Sequence, residues 1–232
     1  MTQRKLIAVI AAAGIGKRVG ADIPKQYLKL LDKTIIEHSI NPFVEHPDIV
    51  QVVVSIAKND RWFRALNIAK NPKIRLVEGG DERVDSVLAA LKVIDDNDYV
   101  LVHDAARPCI TRFDIDKLIN YVCANNAGAI LASKVTDTMK RSYPNGQIKK
   151  TVERNDLWHA LTPQMFENKT LQKAILAVNE PHLITDEASA IEMCGLPVHL
   201  VEGRSDNLKV TREEDLQIAA LYLSRSQTKE KL

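Results

Sequence analysis

The chain has 232 residues, 45% of them apolar and 27% charged, with a formal net charge of +2. That is enough for one large α/β domain with a proper core, and the composition is ordinary for a soluble globular chain. A net charge so near zero excludes a general polyanion-binding surface, so nucleic acid is not an expected partner and any basic site must be local.

Residues 6–13 read as a buried first strand, and the segment behind it is AAAGIGKRVGADIPKQY. Small residues there let backbone N–H groups approach an anion, and Lys17, Arg18 and Lys25 can neutralise its charge. A nucleoside triphosphate would fit; so would a plain strand-to-helix turn with solvated cations. The segment is not a P-loop, since no glycine is followed by the G-K-[ST] spacing. Nor is it a dinucleotide fingerprint, because Gly14, Gly16 and Gly20 are spaced one residue too widely.

Further on, Ile36, Ile40, Phe43 and Val44 recur at helical spacing, and residues 49–56 form a second apolar strand. Trp62, Leu66 and Ala69 suggest a short helix, and residues 74–77 a third strand before Gly79 and Gly80. An amphipathic helix over residues 84–94 and a strand over 99–103, ending in Asp104, come next. Thr111 with Asp114 forms a capping box for the helix that follows, and residues 129–135 form another strand. Residues 136–158 break the alternation around Pro144-Asn145-Gly146 and read as a projecting β-hairpin, with Trp158 and His159 packing at its foot. After it come a helix over 171–178, a helix capped by Thr185, a strand over 198–201, and a helix opened by a Thr211–Glu214 box. Residues 224–232 read as a frayed tail.

The expected architecture is α/β and Rossmann-like: a mostly parallel sheet with helices on both faces, one domain over 1–232 with 136–158 inserted as an arm. Ligands in such folds sit beyond the carboxyl ends of the strands. The glycine-rich loop, Gly79-Gly80-Asp81 and Asp104-Ala105-Ala106-Arg107 all follow strand ends, so three loops with chemistry converge on one edge. The segment from Gly80 and Asp81 to Ser86 could hydrogen-bond a base edge, although Asp81 and Glu82 also serve as helix-opening acids. Asp104, a single carboxylate beside a triphosphate site, suits Mg²⁺, which takes few protein ligands. The six histidines show no ligand pairing and read as structural or surface residues. Three cysteines without CxxC or zinc spacing point to reduced thiols and a cytoplasmic setting. The early first strand leaves no room for a leader, and no apolar run reaches membrane-spanning length.

The motifs AAAGIGKR, PKQY, GGDERVDSV, VHDAARP, DTMKR, WHALTPQ, TDEAS and EGRSDNLKVT occur in this order. Together they resemble the 2-C-methyl-D-erythritol 4-phosphate cytidylyltransferase family of the non-mevalonate isoprenoid pathway, over nearly the whole chain. VHDAARP with TDEAS and NLKVT is the specific part. The resemblance implies CMP transfer from CTP to methylerythritol phosphate with Mg²⁺, on a seven-stranded sheet whose arm serves a homodimer. It implies that Arg18 and Lys25 stabilise the transition state, with Arg154 and Lys209 beside them as catalytic cations. Ala12, Ala13, Gly14 and Gly16 would hold the triphosphate, Gly80, Asp81 and Ser86 would read cytosine, and Ala105 would lie near the ribose. Asp104 would bind the metal. Arg107, Thr138, Arg154, Thr162, Thr185 and Lys209 would surround the acceptor phosphate. Many members carry Met where this chain has Val19, and both are apolar. A pentitol phosphate such as ribitol 5-phosphate is the nearest rival acceptor; a non-catalytic nucleotide-binding module would not need Arg18, Lys25 and Asp104 together.

Overall fold

The structure, a computed structural model, describes residues 4–14 and 23–229. The glycine-rich segment is therefore described only at its two ends, and Gly16 and Arg18 lie outside the described residues. Strand β1 (Leu6–Ala11) is followed by the short hairpin β2 (Lys29–Leu30) and β3 (Lys33–Thr34), then by helix α1 (Ile35–Val44). Next come β4 (Ile49–Ile56), β5 (Ile74–Glu78), α2 (Arg83–Leu91), β6 (Tyr99–Asp104), α3 (Arg112–Asn125) and β7 (Ala129–Lys134). The arm strands β8 (Met139–Ser142) and β9 (Ile148–Val152) precede β10 (Trp158–Glu167). The chain continues through α4 (Asn168–Ala177), α5 (Glu187–Met193), β11 (His199–Glu202) and α6 (Glu214–Lys229).

Seven strands form the main sheet in the order β11-β7-β10-β6-β1-β4-β5. β10 runs antiparallel to both of its neighbours, while the other pairs are parallel. Successive side chains of a strand point to opposite faces, and both faces here are covered. Ala8, Ile10, Val52, Val54 and Leu101 pack under α1 and α3 with Phe43, Ile115 and Leu118. Ile7, Val9, Val53, Val100 and Val102 pack on the other side under α2, α4 and α5 with Val87, Leu91 and Leu171. These strands carry no polar face, which is why their sequences read as apolar runs.

The chain leaves β1 toward β4 and β5, then crosses back to place β6 on β1's other side. That reversal is a topological switch point, and it opens a crevice at the carboxyl ends of β1 and β6. Ala12 and Asp104 emerge there from adjacent strands.

Several local expectations need correction. Trp158 and His159, where the arm rejoins the body, open β10, an internal strand of the sheet that the sequence reading did not expect. Pro163 obscured it, since proline cannot donate to a ladder. The ladder to β7 is interrupted between Ala160 and Gln164, and Pro163 falls in that interruption. Thr185 does not cap α5: Asp186 does, accepting from Ser189 N–H at 2.9 Å. Thr211 pairs with Asp215 rather than Glu214, and the Asp215 carboxylate also accepts from the Thr211 and Arg212 N–H groups. The expected helix near residues 62–69 is a pair of 3-10 turns, Phe63–Ala65 and Asn67–Lys70. α6 runs to Lys229, so most of the expected tail is helical. The Thr111 box stands as expected, a cap of about 1 kcal/mol.

Candidate active site

A cleft of about 500 Å³ lies at the switch point, lined by Ala12, Ala13 and Gly14 after β1, by Asp81 and Ser86 around the start of α2, and by Asp104 and Ala105 after β6. Lys25, Arg83 and Lys209 complete its charged wall. Lys25 stands on a well-anchored 3-10 turn, Lys25–Tyr27. Gln26 Nε2 donates to the Ala12 and Gly14 carbonyls at 2.8 and 3.1 Å, tying the turn to the glycine-rich loop. The buried Tyr27 hydroxyl donates to Asp60 Oδ2 at 2.6 Å, and its ring stacks on Trp62. Lys25 Nζ donates to the Val210 carbonyl at 2.9 Å. Val210 N–H in turn donates to Ala106 O, joining the segment around Lys209 to the loop after β6.

Asp104 is the electrostatic centre. It is buried at 7% exposure, and three cations surround it: Arg83 at 3.0 Å, Lys209 at 2.9 Å and Arg107 at 3.5 Å. Burial alone would raise its pKa, but those charges overcome burial and hold it far below the carboxylate range. It therefore stays ionised at any working pH.

Thr162 sits directly behind it. Its hydroxyl accepts from Asp104 N–H at 3.2 Å and pairs with His103 Nδ1 at 2.8 Å. His103 Nε2 faces the Arg107 carbonyl at 3.1 Å, and a carbonyl only accepts. Nε2 therefore carries the ring proton, and the Thr162 O–H donates to Nδ1. The Thr162 proton is thus committed inward, away from the cleft. His103 is the structural residue its sequence context suggested.

Burial pushes the His103 pKa down to about 4. Between about pH 6.5 and 4 an unfolded chain takes a proton that the folded one refuses, so stability falls as pH falls through that window. The loss should approach about 3 kcal/mol at the acid end. Thermal midpoints of the wild type and His103→Gln across this range should converge on acidification; equal slopes would refute the assignment.

A second cavity of about 260 Å³ adjoins the first, lined by Arg107, Thr162, Thr185, Gln164 and Asp186, and it shares Arg83, Asp104 and Lys209 with the cleft. The structure thus brings most of the expected site residues together. Gly80 stands behind the cleft, its carbonyl accepting from Ser86 Oγ at 3.3 Å. Thr138 and Arg154 line neither cavity; Arg154 donates to the Thr136 carbonyl at the base of the arm. Sequence reasoning did not single out Arg83, Glu187 or Gln26. Arg83 did leave a signal, because a cation in the first turn of a helix opposes the macrodipole.

Gly79 spaces the walls of the cleft. A Cβ there would lie 2.5 Å from Ala13 Cβ and 2.7 Å from Ser86 Oγ. Gly79→Ala should spread these walls and raise the KM for nucleotide about tenfold, or about 1.4 kcal/mol. An unchanged KM in steady-state kinetics would show that the walls absorb the methyl group.

Asp104 is the carboxylate at the cleft that could hold Mg²⁺ together with phosphates, but both of its oxygens are engaged by cations here. Among the described residues no cluster of three or more acidic, His or Cys side chains forms a fuller cage. Lys209 is the Asp104 partner most exposed to solvent, at 41%, and so the most readily released.

A cleft at the switch point of a mostly parallel sheet, with cations gathered on a buried carboxylate, is the arrangement of a nucleotide-binding α/β protein. Residues 6–225 match the family model described as 2-C-methyl-D-erythritol 4-phosphate cytidylyltransferase (IspD), and the chain belongs to that family. A relative of that name from Aeromonas hydrophila is 53% identical, covering 97% of this chain and 92% of its own. One from Photobacterium profundum is 52% identical, covering 97% and 98%. The crystal structure of the Francisella tularensis enzyme superposes with a TM-score of 0.82 at 36% identity, covering 94% of this chain and 99% of that one. The Thermus thermophilus structure gives 0.75 at 27% identity, covering 94% and 98%.

Proposed function

We propose that the chain transfers CMP from CTP to 2-C-methyl-D-erythritol 4-phosphate, releasing pyrophosphate, the reaction for which its family is named. The observation that carries this is the pair of adjoining cavities, one about 500 Å³ and one about 260 Å³, that share Asp104, Arg83 and Lys209. A nucleotide would occupy the larger and a polyol phosphate the smaller, so the two phosphates would meet over common cations.

An oxygen of the acceptor phosphate attacks the α-phosphorus of CTP. The new P–O bond forms as the bond to the β-phosphate oxygen breaks, and pyrophosphate leaves with the electron pair. The nucleophile is already an anion, so no general base is needed, and positioning with charge neutralisation does the work. Lys25, with Arg18, would stabilise the charge that gathers on the α-phosphate. Ala12, Ala13, Gly14 and Gly16 would cradle the triphosphate; Gly80, Asp81 and Ser86 would face cytosine, and Ala105 the ribose. Arg107, Thr185 and Lys209 would hold the acceptor phosphate. Thr162 would act through the Asp104 backbone, since its own proton is turned to His103. Mg²⁺, when bound at Asp104, would offset the charge of the triphosphate.

We further propose a homodimer in which each arm brings Thr138 and Arg154 to the partner's acceptor cavity. The three cysteines are free, in keeping with a reducing cytoplasm. Among the described residues no helix is long and apolar enough to cross a membrane.

A pyrophosphate-release assay with four nucleoside triphosphates, against methylerythritol phosphate and ribitol 5-phosphate, tests the reading. CTP with methylerythritol phosphate should dominate. UTP should fall at least about a hundredfold lower in kcat/KM, because a buried edge built for one base leaves polar groups unpaired on another. Comparable efficiency with UTP would overturn the cytosine assignment, and preference for ribitol phosphate would reassign the acceptor.

A further inference from the structure

All three nitrogens of the Arg83 guanidinium are engaged. Nε donates to Asp104 Oδ1 at 3.0 Å, while the two terminal nitrogens donate to the Glu187 oxygens at 2.6 and 3.0 Å. Arg83 opens α2, Asp104 ends β6 and Glu187 opens α5, so three elements meet on one side chain. Glu187 is 2% exposed. Burying such a pair repays its desolvation only with good geometry, and the cation also opposes the α2 dipole. Local helix stability therefore does not explain the arrangement.

Position does. Arg83 borders both cavities. On the α2 side, Asp81 and Ser86 face the nucleotide cleft; on the α5 side, Thr185 and Asp186 face the acceptor cavity. A planar guanidinium fixes two carboxylates at one spacing, which the flexible point charge of lysine cannot do.

We propose that Arg83 is a positioning residue: through Asp104 on one side and Glu187 on the other, it sets the spacing between the nucleotide half and the acceptor half of the site. This rests on the two-cavity reading given above. In-line attack needs the reacting atoms about 3–3.5 Å apart, and a misplacement of about 1 Å costs on the order of a hundredfold.

The test separates spacing from stability. Arg83→Met alone strands Glu187 as a buried unpaired charge, so both the thermal midpoint and turnover should fall. The double variant Arg83→Met/Glu187→Met removes both charges of the pair and should regain most of the midpoint. α5 has a second anchor in Gln164, which accepts from Ala188 N–H and donates to Asp186. Turnover should nevertheless stay about a hundredfold down, with the KM of either substrate moving only severalfold. If turnover recovers in step with the midpoint, Arg83 is merely structural and the proposal falls. Arg83→Lys guards against a double variant that does not fold. It should keep the midpoint within a few degrees yet lose at least about tenfold in kcat, and wild-type kcat would overturn the proposal. Wild-type turnover distinguishes the two levels. A wild type without cytidylyl transfer sinks the functional reading and this one with it, whereas an active wild type beside a fully active Arg83→Lys sinks only the spacing role.

Discussion

Lys25→Ala is expected to lower kcat about a hundredfold, on the scale of losing one oxyanion donor, while the KM for CTP moves only a few fold. The expectation follows from where the ammonium is fixed. Gln26 binds two carbonyls of the glycine-rich loop, Tyr27 is locked onto Asp60, and Lys25 lies between these anchors and the Val210 carbonyl. A cation held this firmly is already oriented before the reaction begins, so no reorganisation is paid for at the barrier. Negative charge on the α-phosphate grows as the acceptor oxygen closes in. An interaction with that charge is therefore worth more in the transition state than in the bound substrate. Steady-state kinetics decide the matter: normal kcat with a raised KM for CTP would make Lys25 a ground-state binder. Arg18 carries the same expectation from its motif, although it lies outside the described residues.

The strands and helices that were legible in the sequence are those whose signal is local. Residues 49–56 are apolar throughout because the strand is covered on both faces, and Thr111 announces its helix through a side chain three positions away. β10 was hidden because Pro163 breaks the pattern that a strand would show, and only the interrupted pairing with β7 explains how the sheet accepts it. At α5 the acidic neighbour Asp186 took the cap from Thr185, and at α6 Asp215 took the place expected of Glu214. Both were choices between polar residues one position apart, which periodicity cannot resolve. Of the site, the loops could be placed on one sheet edge by counting strands. The Arg83–Glu187 pair could not, because its partners are 104 residues apart and the misplaced cation at the start of α2 names no partner.

Mixing two inactive variants is expected to restore about one quarter of wild-type activity, given two-fold pairing. The starting point is the arm. Met139, Tyr143 and Ile148 are exposed on it, and β8 pairs with β9 alone in a two-stranded sheet. A two-stranded hairpin is marginal in water and gains stability by lying against something larger. A two-fold partner offers that surface to both arms at once. Thr138 and Arg154 border neither cavity of their own chain, and the proposed role at the acceptor phosphate places them at another chain's cavity. Lys25→Ala damages the chain that owns the cleft, and Arg154→Ala damages the arm that reaches into it. Unfolding the two variants together and refolding them makes half the dimers mixed. In each mixed dimer, the site on the Arg154→Ala chain keeps Lys25 and receives an intact arm from its partner, while the other site carries both lesions. Half the dimers with one of two sites intact give one quarter of the activity. If the arm instead serves its own chain, every site carries one lesion and no mixture recovers. Subunit exchange is confirmed separately with differently tagged chains, and a mixture that exchanges yet stays inactive would place Arg154 in its own subunit's site.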